Sequence, residues 1–304
     1  MYFTELPDHS KPGFDEALHF SNFKKHNVIF NAQSSGSNCE HHIGCLSFKS
    51  VLNGEEWYGF GHHDVAVKPG RFLLLNNEQE YSCRITGGES TRTVSVFFKK
   101  EFALSVFHDA LHSDYTLLDD PMNIGEKMPE FFQTLQPVSS PLQLKLAELI
   151  NALDKEGYNS QMVDECLIYI LHNLIGIQQS NLQQVANIDA LKPATRMEIY
   201  KRLCVARDFL HSTYNNNPNL DDIGKEACLS VPQLVRHFKA VFGATTHQYL
   251  KQVRLQHATE LLKSTRNPVH EITWMCGFDN VSAFSRAFKT AFGEQPREYR
   301  KHFM

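Results

Sequence analysis

A chain of 304 residues with 42% hydrophobic and 21% charged side chains is long for one hydrophobic core and too apolar to remain disordered. No stretch approaches the roughly 18 apolar residues of a membrane span, the opening MYFTELPDHSKPGF lacks the basic-then-apolar pattern of a secretion signal, and the seven cysteines show no C-x-x-C spacing. A cytoplasmic protein with reduced thiols is expected, and its charge is divided: residues 1–192 carry 14 basic and 24 acidic side chains, residues 193–304 carry 16 and 10, which implies a nucleic-acid partner for the second half alone.

Residues 20–98 read as strands. Runs such as Ile43–Phe48, Arg71–Leu75 and Thr93–Phe98 are separated by turn residues at Asn53-Gly54, Pro69-Gly70 and Gly87-Gly88, a pattern that predicts a small barrel or sandwich. From Lys99 the period changes to that of helices. Leu142, Leu146, Leu149 and Leu153 share one face, and Val163, Leu167, Ile170, Leu174 and Ile177 mark a second amphipathic helix. Between Cys166 and Ile177 the sequence CLIYILHNLIGI is apolar nearly all round. That predicts a homodimer through residues 161–178, unless the leucine-bearing helix of the same chain covers the remaining side. The polar, Gln/Asn-rich segment that follows holds a linker, residues 186–194.

Beyond Pro193 the pattern is almost wholly helical. Ile199, Leu203, Ala206 and Leu210 form the stripe of a first helix that ends at the breaker NNNPN. A short helix follows Asn219, and Ser230 with Gln233 three residues later forms the signature of another helix start.

An internal repeat at an offset of fifty residues organises this half. Arg236, Phe238, Lys239, Phe242, Gly243 and Tyr249 recur as Arg286, Phe288, Lys289, Phe292, Gly293 and Tyr299, and Leu234 is answered by Phe284. Leu234, Phe238 and Phe242 fall at i, i+4 and i+8, as do Phe284, Phe288 and Phe292, so each set is a core stripe. Pro232, Arg236 and Lys239 then lie on the opposite face of one helix, and Ser282, Arg286 and Lys289 on that of the other. An exposed arginine early in a helix behind a tight turn suits the guanine edge in a major groove. The helix between the units, from about Thr246 to Ser264, would set the two readers about 34 Å apart, one turn of duplex.

The stretches ACLSVPQLVRHFKAVFG (227–243), YLKQVRLQHATELL (249–262) and ITWMCGFDNVSAFSRAFKTAFGEQPREYR (272–300) resemble the signature of the AraC/XylS transcription regulators over about residues 195–302. The resemblance implies base-contacting positions at Pro232, Gln233, Arg236, Ser282 and Arg286, within a DNA-facing set completed by Ser230, Lys239, Asn280 and Lys289. Gly277 takes the place of the turn glycine. Pro232 departs from the larger or polar residue usual there and offers no side-chain hydrogen bond. The resemblance also implies promoter DNA and RNA polymerase as partners, a small-molecule effector, activation ahead of repression as the outcome, and a place on the bacterial nucleoid.

The run GHHDVAVKPGRFLLLNNEQEY (61–81) resembles the middle of a cupin barrel, the sensory domain that many family members carry. A metal-binding cupin presents His, His, Glu and a later His. Here His62 and His63 are adjacent and turn to opposite faces of a strand, and Glu80 stands where the later His would be, so neither metal nor cofactor is expected. Trp57, Tyr58, Phe60, Arg71, Tyr81 and Arg84 flank or lie within this run as candidates for holding an effector. Catalytic motifs are absent, and no enzyme activity is expected; a metal-bearing cupin enzyme or an alkylation-repair protein fused to the same DNA-binding module would need ligand clusters that the sequence lacks. The expected architecture is α+β: a cupin-like barrel followed by helices (1–185, ligand sensing and dimerisation), the linker, and an all-α domain of two helix-turn-helix units (195–304).

Overall fold

Strands buried on both faces and strands buried on one separate this protein's β-structure into two sheets. The computed structural model describes residues 1–7, 14–60, 63–86, 88, 90–111 and 128–303. These divide into two compact units, 1–183 and 184–304.

In the first unit the strands are β1 (Tyr2–Phe3), β2 (Val28–Ser34), β3 (Ser37–Gly44), β4 (Ser47–Asn53), β5 (Glu56–Phe60), β6 (His63–Val67), β7 (Arg71–Leu75), β8 (Gln79–Ile85), β9 (Thr91–Phe97) and β10 (Gln136–Pro137). One sheet has the order β1-β2-β9-β4-β7-β10 and the other β3-β8-β5-β6. All pairs are antiparallel except β1 with β2. The larger sheet is a middle layer. Phe48, Phe72, Leu74 and Val96 pack on one side against the helices α2 (Lys100–Leu111), α3 (Ser140–Glu156) and α4 (Ser160–Ala186). Val51, Leu73 and Leu75 turn to the other side and meet Tyr58, Phe60, Val65, Val67 and Tyr81 of the smaller sheet. Burial of both faces is why β7 reads as the unbroken run RFLLL. The strands thus form a two-sheet sandwich, whereas the cupin resemblance implied one barrel. A further helix, α1 (Glu16–Lys25), starts at an Asp15 cap.

Two expectations are corrected here. The run Ile43–Phe48 is not one strand, because the chain leaves β3 in the smaller sheet and enters β4 in the larger one through Cys45-Leu46. The side-chain phase changes across that turn: Ile43 is 66% exposed and Leu46 is 1% exposed. The Gln/Asn-rich segment from Gln178 is helical as far as Ala186, since glutamine is a good helix former and Val185 is buried. Residues 187–192, not 186–194, separate α4 from the next helix, and the boundary between units falls inside α4.

At two positions of the helix expected to dimerise, the intrachain alternative is the one observed. Ile170 and Leu174 are fully buried in the core formed with Leu142, Leu146, Leu149 and Leu153 of α3, so the same chain covers the side thought to need a partner. His62 lies outside the described residues, as does Gly87. Among the described residues no cluster of three metal-ligating side chains occurs, and no helix is long and apolar enough to cross a membrane.

The second unit is helical: α5 (Pro193–Ser212), α6 (Leu220–Glu226), α7 (Val231–Phe242), α8 (Thr246–Ser264), α9 (Val269–Met275), α10 (Val281–Phe292) and α11 (Pro296–Lys301). Helix α8 runs between the two repeats. Its Leu255, Ala258 and Leu262 share a cluster with Ile272, Phe284 and Phe288 of the second repeat, and its Tyr249 lies against Phe238 of the first.

Candidate nucleic-acid interface

The two repeats fold alike down to their ring contacts. Around Phe238 the centroids of Phe242 and Tyr249 lie at 4.8 and 5.6 Å, and around Phe288 those of Phe292 and Tyr299 lie at 4.6 and 5.3 Å. Both longer helices end on a left-handed glycine, Gly243 at φ +73° and Gly293 at φ +84°, whose N–H donates to the carbonyl of Lys239 or Lys289. Phe238, Phe284, Phe288 and Leu234 are fully buried. The stripe is less covered at its end, where Phe242 is half-buried and Phe292 is 38% exposed.

Burying these stripes turns the other face of α7 and of α10 outward. Ser230, Pro232, Gln233, Arg236 and Lys239 are exposed, and so are Asn280, Ser282, Arg286 and Lys289. Three of the nine also shape the helix starts. The Gln233 carboxamide oxygen accepts from the Ser230 N–H at 3.2 Å and from its hydroxyl at 3.0 Å, leaving the Gln233 NH2 to donate outward. Asn280 Oδ1 accepts the Ala283 N–H at 2.7 Å. Ser230 and Asn280 therefore fix where each helix begins. Arg236 and Arg286 stand one turn further on, each followed by a lysine on the same face.

The turns that set the angle between short and long helix differ. Cys228 takes a left-handed φ of +51° in the first, and Gly277 takes +74° in the second. A Cβ on Gly277 would come within 2.8 Å of the Asn215 carbonyl oxygen and 2.9 Å of that of Tyr214. Those carbonyls belong to the loop after α5, which Arg254 of α8 also holds: its Nε donates to the Tyr214 carbonyl at 2.7 Å, and its Nη2 to the Asn216 carbonyl at 2.5 Å and Asn217 Oδ1 at 2.7 Å. Sequence reasoning passed over Arg254, because nothing in a pattern of helices shows which loop a half-buried arginine will bind. Gly277→Ala is expected to cost at least about 1–2 kcal/mol from the left-handed backbone alone, with the close carbonyls adding to it, while Cys228→Gly should relieve strain. Thermal melting of the two variants checks the opposite signs.

A helix-turn-helix domain family matches residues 223–302, which contain both repeats. Residues 223–302 thus carry an AraC-type helix-turn-helix domain. The chain is 33% identical over 95 residues to the Msm operon regulatory protein of Streptococcus mutans, a match covering 31% of this chain and 34% of that protein. It is 24% identical over 264 residues to the HTH-type transcriptional activator RhaS of Escherichia coli O139:H28, covering 79% and 86% respectively. A solved structure, the C-terminal domain of AraT, a response regulator from Geobacillus stearothermophilus, is 32% identical over 34% of this chain and 86% of that one, with a TM-score of 0.33. The chain thus spans about a third of the Msm protein and most of RhaS.

The six effector candidates of this AraC-type chain are not brought together. Strand alternation turns Tyr58 and Phe60 into the sandwich, where Tyr81 joins them, all three buried. Trp57 and Arg84, register partners, point the other way, with the guanidinium 5.5 Å from the indole and ion-paired to Asp64 at 2.6 Å. Arg71 is half-buried at the start of β7 beside the edge strand β10. The interior set that sequence reasoning missed is Lys49, Glu56, Cys39 and Cys83, which line one cavity with Tyr58 and Tyr81. The signal for Lys49 was a charged residue amid the apolar alternation of β4.

Proposed function

We propose that this chain is a sequence-specific DNA-binding transcription regulator, an activator, whose residues 195–304 bind promoter DNA and whose residues 1–185 form a cupin-like domain sensing a small molecule. The observation that carries this reading is the repeated exposed Arg-and-Lys face on α7 and α10, each set behind a tight turn. An arginine so placed can donate two of its guanidinium N–H groups to guanine O6 and N7, and the lysines neutralise phosphates nearby. Activation is taken from the RhaS relatives, which are transcriptional activators. The reading includes RNA polymerase as a partner, a cytoplasmic location, and a homodimer on paired half-sites, with an interface other than Ile170 and Leu174 because these are buried.

The test uses a duplex selected by the full-length protein from a random pool. Arg236→Ala and Arg286→Ala should each weaken binding to it by about 1–3 kcal/mol and relax preference in different halves of the site, with thermal melting unchanged. Affinity of the parent should fall steeply with salt as phosphate counterions are released. Two variants that bind the selected duplex as tightly as the parent would sink the assignment of α7 and α10 as readers.

A further inference from the structure

The middle of the β-sandwich contains an ammonium group. Lys49 on β4 is 3% exposed, and its Nζ lies 3.5 Å from the centre of the Phe97 ring, 5.5 Å from that of Tyr81 and 6.0 Å from that of Tyr58. Ring faces compensate a buried cation in part. Yet an ammonium has three N–H donors, and among the described residues that of Lys49 makes no hydrogen bond and no ion pair. It lines a cavity of about 60 Å³.

The groups around Lys49 are short of acceptors. From β8 and β3, Cys83 and Cys39 present thiols; their mutual hydrogen bond, then burial, hold Cys83 in its neutral form. Burial likewise pushes the Tyr81 and Tyr58 hydroxyls far up, and the Cys45 thiol up to about 11. Glu56 on β5 is the one carboxyl among the lining residues described. Burial pulls its pKa upward, and its oxygens already accept from the Thr93 hydroxyl at 2.7 Å and from Tyr58. The imidazoles of His42 and His19 complete the titratable groups at the cavity. Protonated thiols and phenols, with an ammonium at the centre, call for a negatively charged acceptor. Beyond them the wall carries the Ser37 and Ser95 hydroxyls, neither of which bonds the ammonium, and the hydrocarbon of Leu6, Phe23 and Phe30.

We propose that this cavity binds a short-chain monocarboxylate, with its carboxylate on the Lys49 ammonium and its alkyl tail against Phe23, Phe30 and Phe97. The volume supports the size: at about 10–15 Å³ per water-sized centre it holds roughly four to six non-hydrogen atoms, as many as propionate has. That the bound acid is also the effector rests on the regulator reading above; occupancy of the site does not.

Calorimetric titration of the full chain with propionate tests it. Burial lowers Lys49 to about 8, so the ammonium is mostly present at pH 7 and mostly lost at pH 9. Affinity should fall about tenfold between those two values, with proton uptake on binding near pH 8. Propionamide, equal in shape but uncharged, should bind at least thirtyfold more weakly. Lys49→Met should lose propionate binding while melting no lower than the parent, because an apolar chain of similar length removes a buried charge. No heat with propionate, equal binding of propionamide, or unchanged affinity in Lys49→Met would overturn the proposal; should that variant unfold, the pH series and propionamide decide it in the parent. Binding of the selected duplex is followed in parallel. Intact DNA binding without propionate binding refutes the ligand class alone, whereas loss of sequence preference in the parent refutes the regulator reading and leaves the calorimetric answer standing.

Discussion

Phe288→Ala is expected to unfold the second helix-turn-helix unit. The ring is fully buried, with Phe284 at 5.6 Å, Phe292 at 4.6 Å and Tyr299 at 5.3 Å, in a cluster that also holds Leu255 and Leu262 of α8 and Ile272 of α9. Truncating a buried phenylalanine removes the transfer free energy of the ring and leaves a cavity, about 3–5 kcal/mol in all. Phe238→Ala should act alike in the first unit, where the ring meets Phe242 and Tyr249. Since single domains keep about 5–15 kcal/mol of stability, either change takes a large share. Urea unfolding followed by circular dichroism gives the number. A variant that stays as stable as the parent but no longer binds DNA would mean that the stripe faces the duplex and the arginines face the core.

The second large effect belongs to the first unit. Ile170→Glu together with Leu174→Glu places two carboxyls at fully buried positions of α4, in a core cluster that holds Leu, Val and Phe side chains of α2, α3 and the larger sheet. Neither position offers a cation among these neighbours, and each carboxyl must be desolvated or neutralised at a cost of several kcal/mol. The expected result is loss of the cooperative thermal transition of residues 1–183, seen in the full chain as a missing calorimetric peak. A folded variant that sediments as a smaller species than the parent would instead assign α4 to a contact between copies.

The helical half was legible because its signals are short-range. Leu234, Phe238 and Phe242 declare a helix face by spacing alone, and a fifty-residue echo of the same residues adds a second copy in the same phase. The caps at Ser230 and Asn280 and the left-handed stops at Gly243 and Gly293 are likewise written within a few residues. The β-sandwich was legible only as strands. Which sheet a strand joins depends on partners far away in sequence: β4 pairs with both β7 and β9, and the change of sheet at Cys45-Leu46 leaves no local mark beyond a glycine. The six effector candidates divide between two faces for a related reason, because alternation sends neighbours such as Trp57 and Tyr58 to opposite sides and the phase was unknown. The cover over Ile170 and Leu174 was a matter of counting. An all-round apolar helix needs cover on several sides, and α3 together with the larger sheet supplied it.

The loop after α5 gives the DNA-binding half a property of its own. Tyr214, Asn215 and Asn216 follow the helix that leads into the first repeat, yet their carbonyls are held by Arg254 from the connecting helix and abut the turn glycine of the second. Anyone building chimaeras should treat this as a lock between modules. A second repeat transplanted from a relative with a bulkier residue at the position of Gly277 would push against the recipient's loop, however good its own core. Exchange of operator preference between such proteins should therefore succeed when loop 213–217, Arg254 and Gly277 travel as one cassette, and should yield poorly folded hybrids when the cut falls among them.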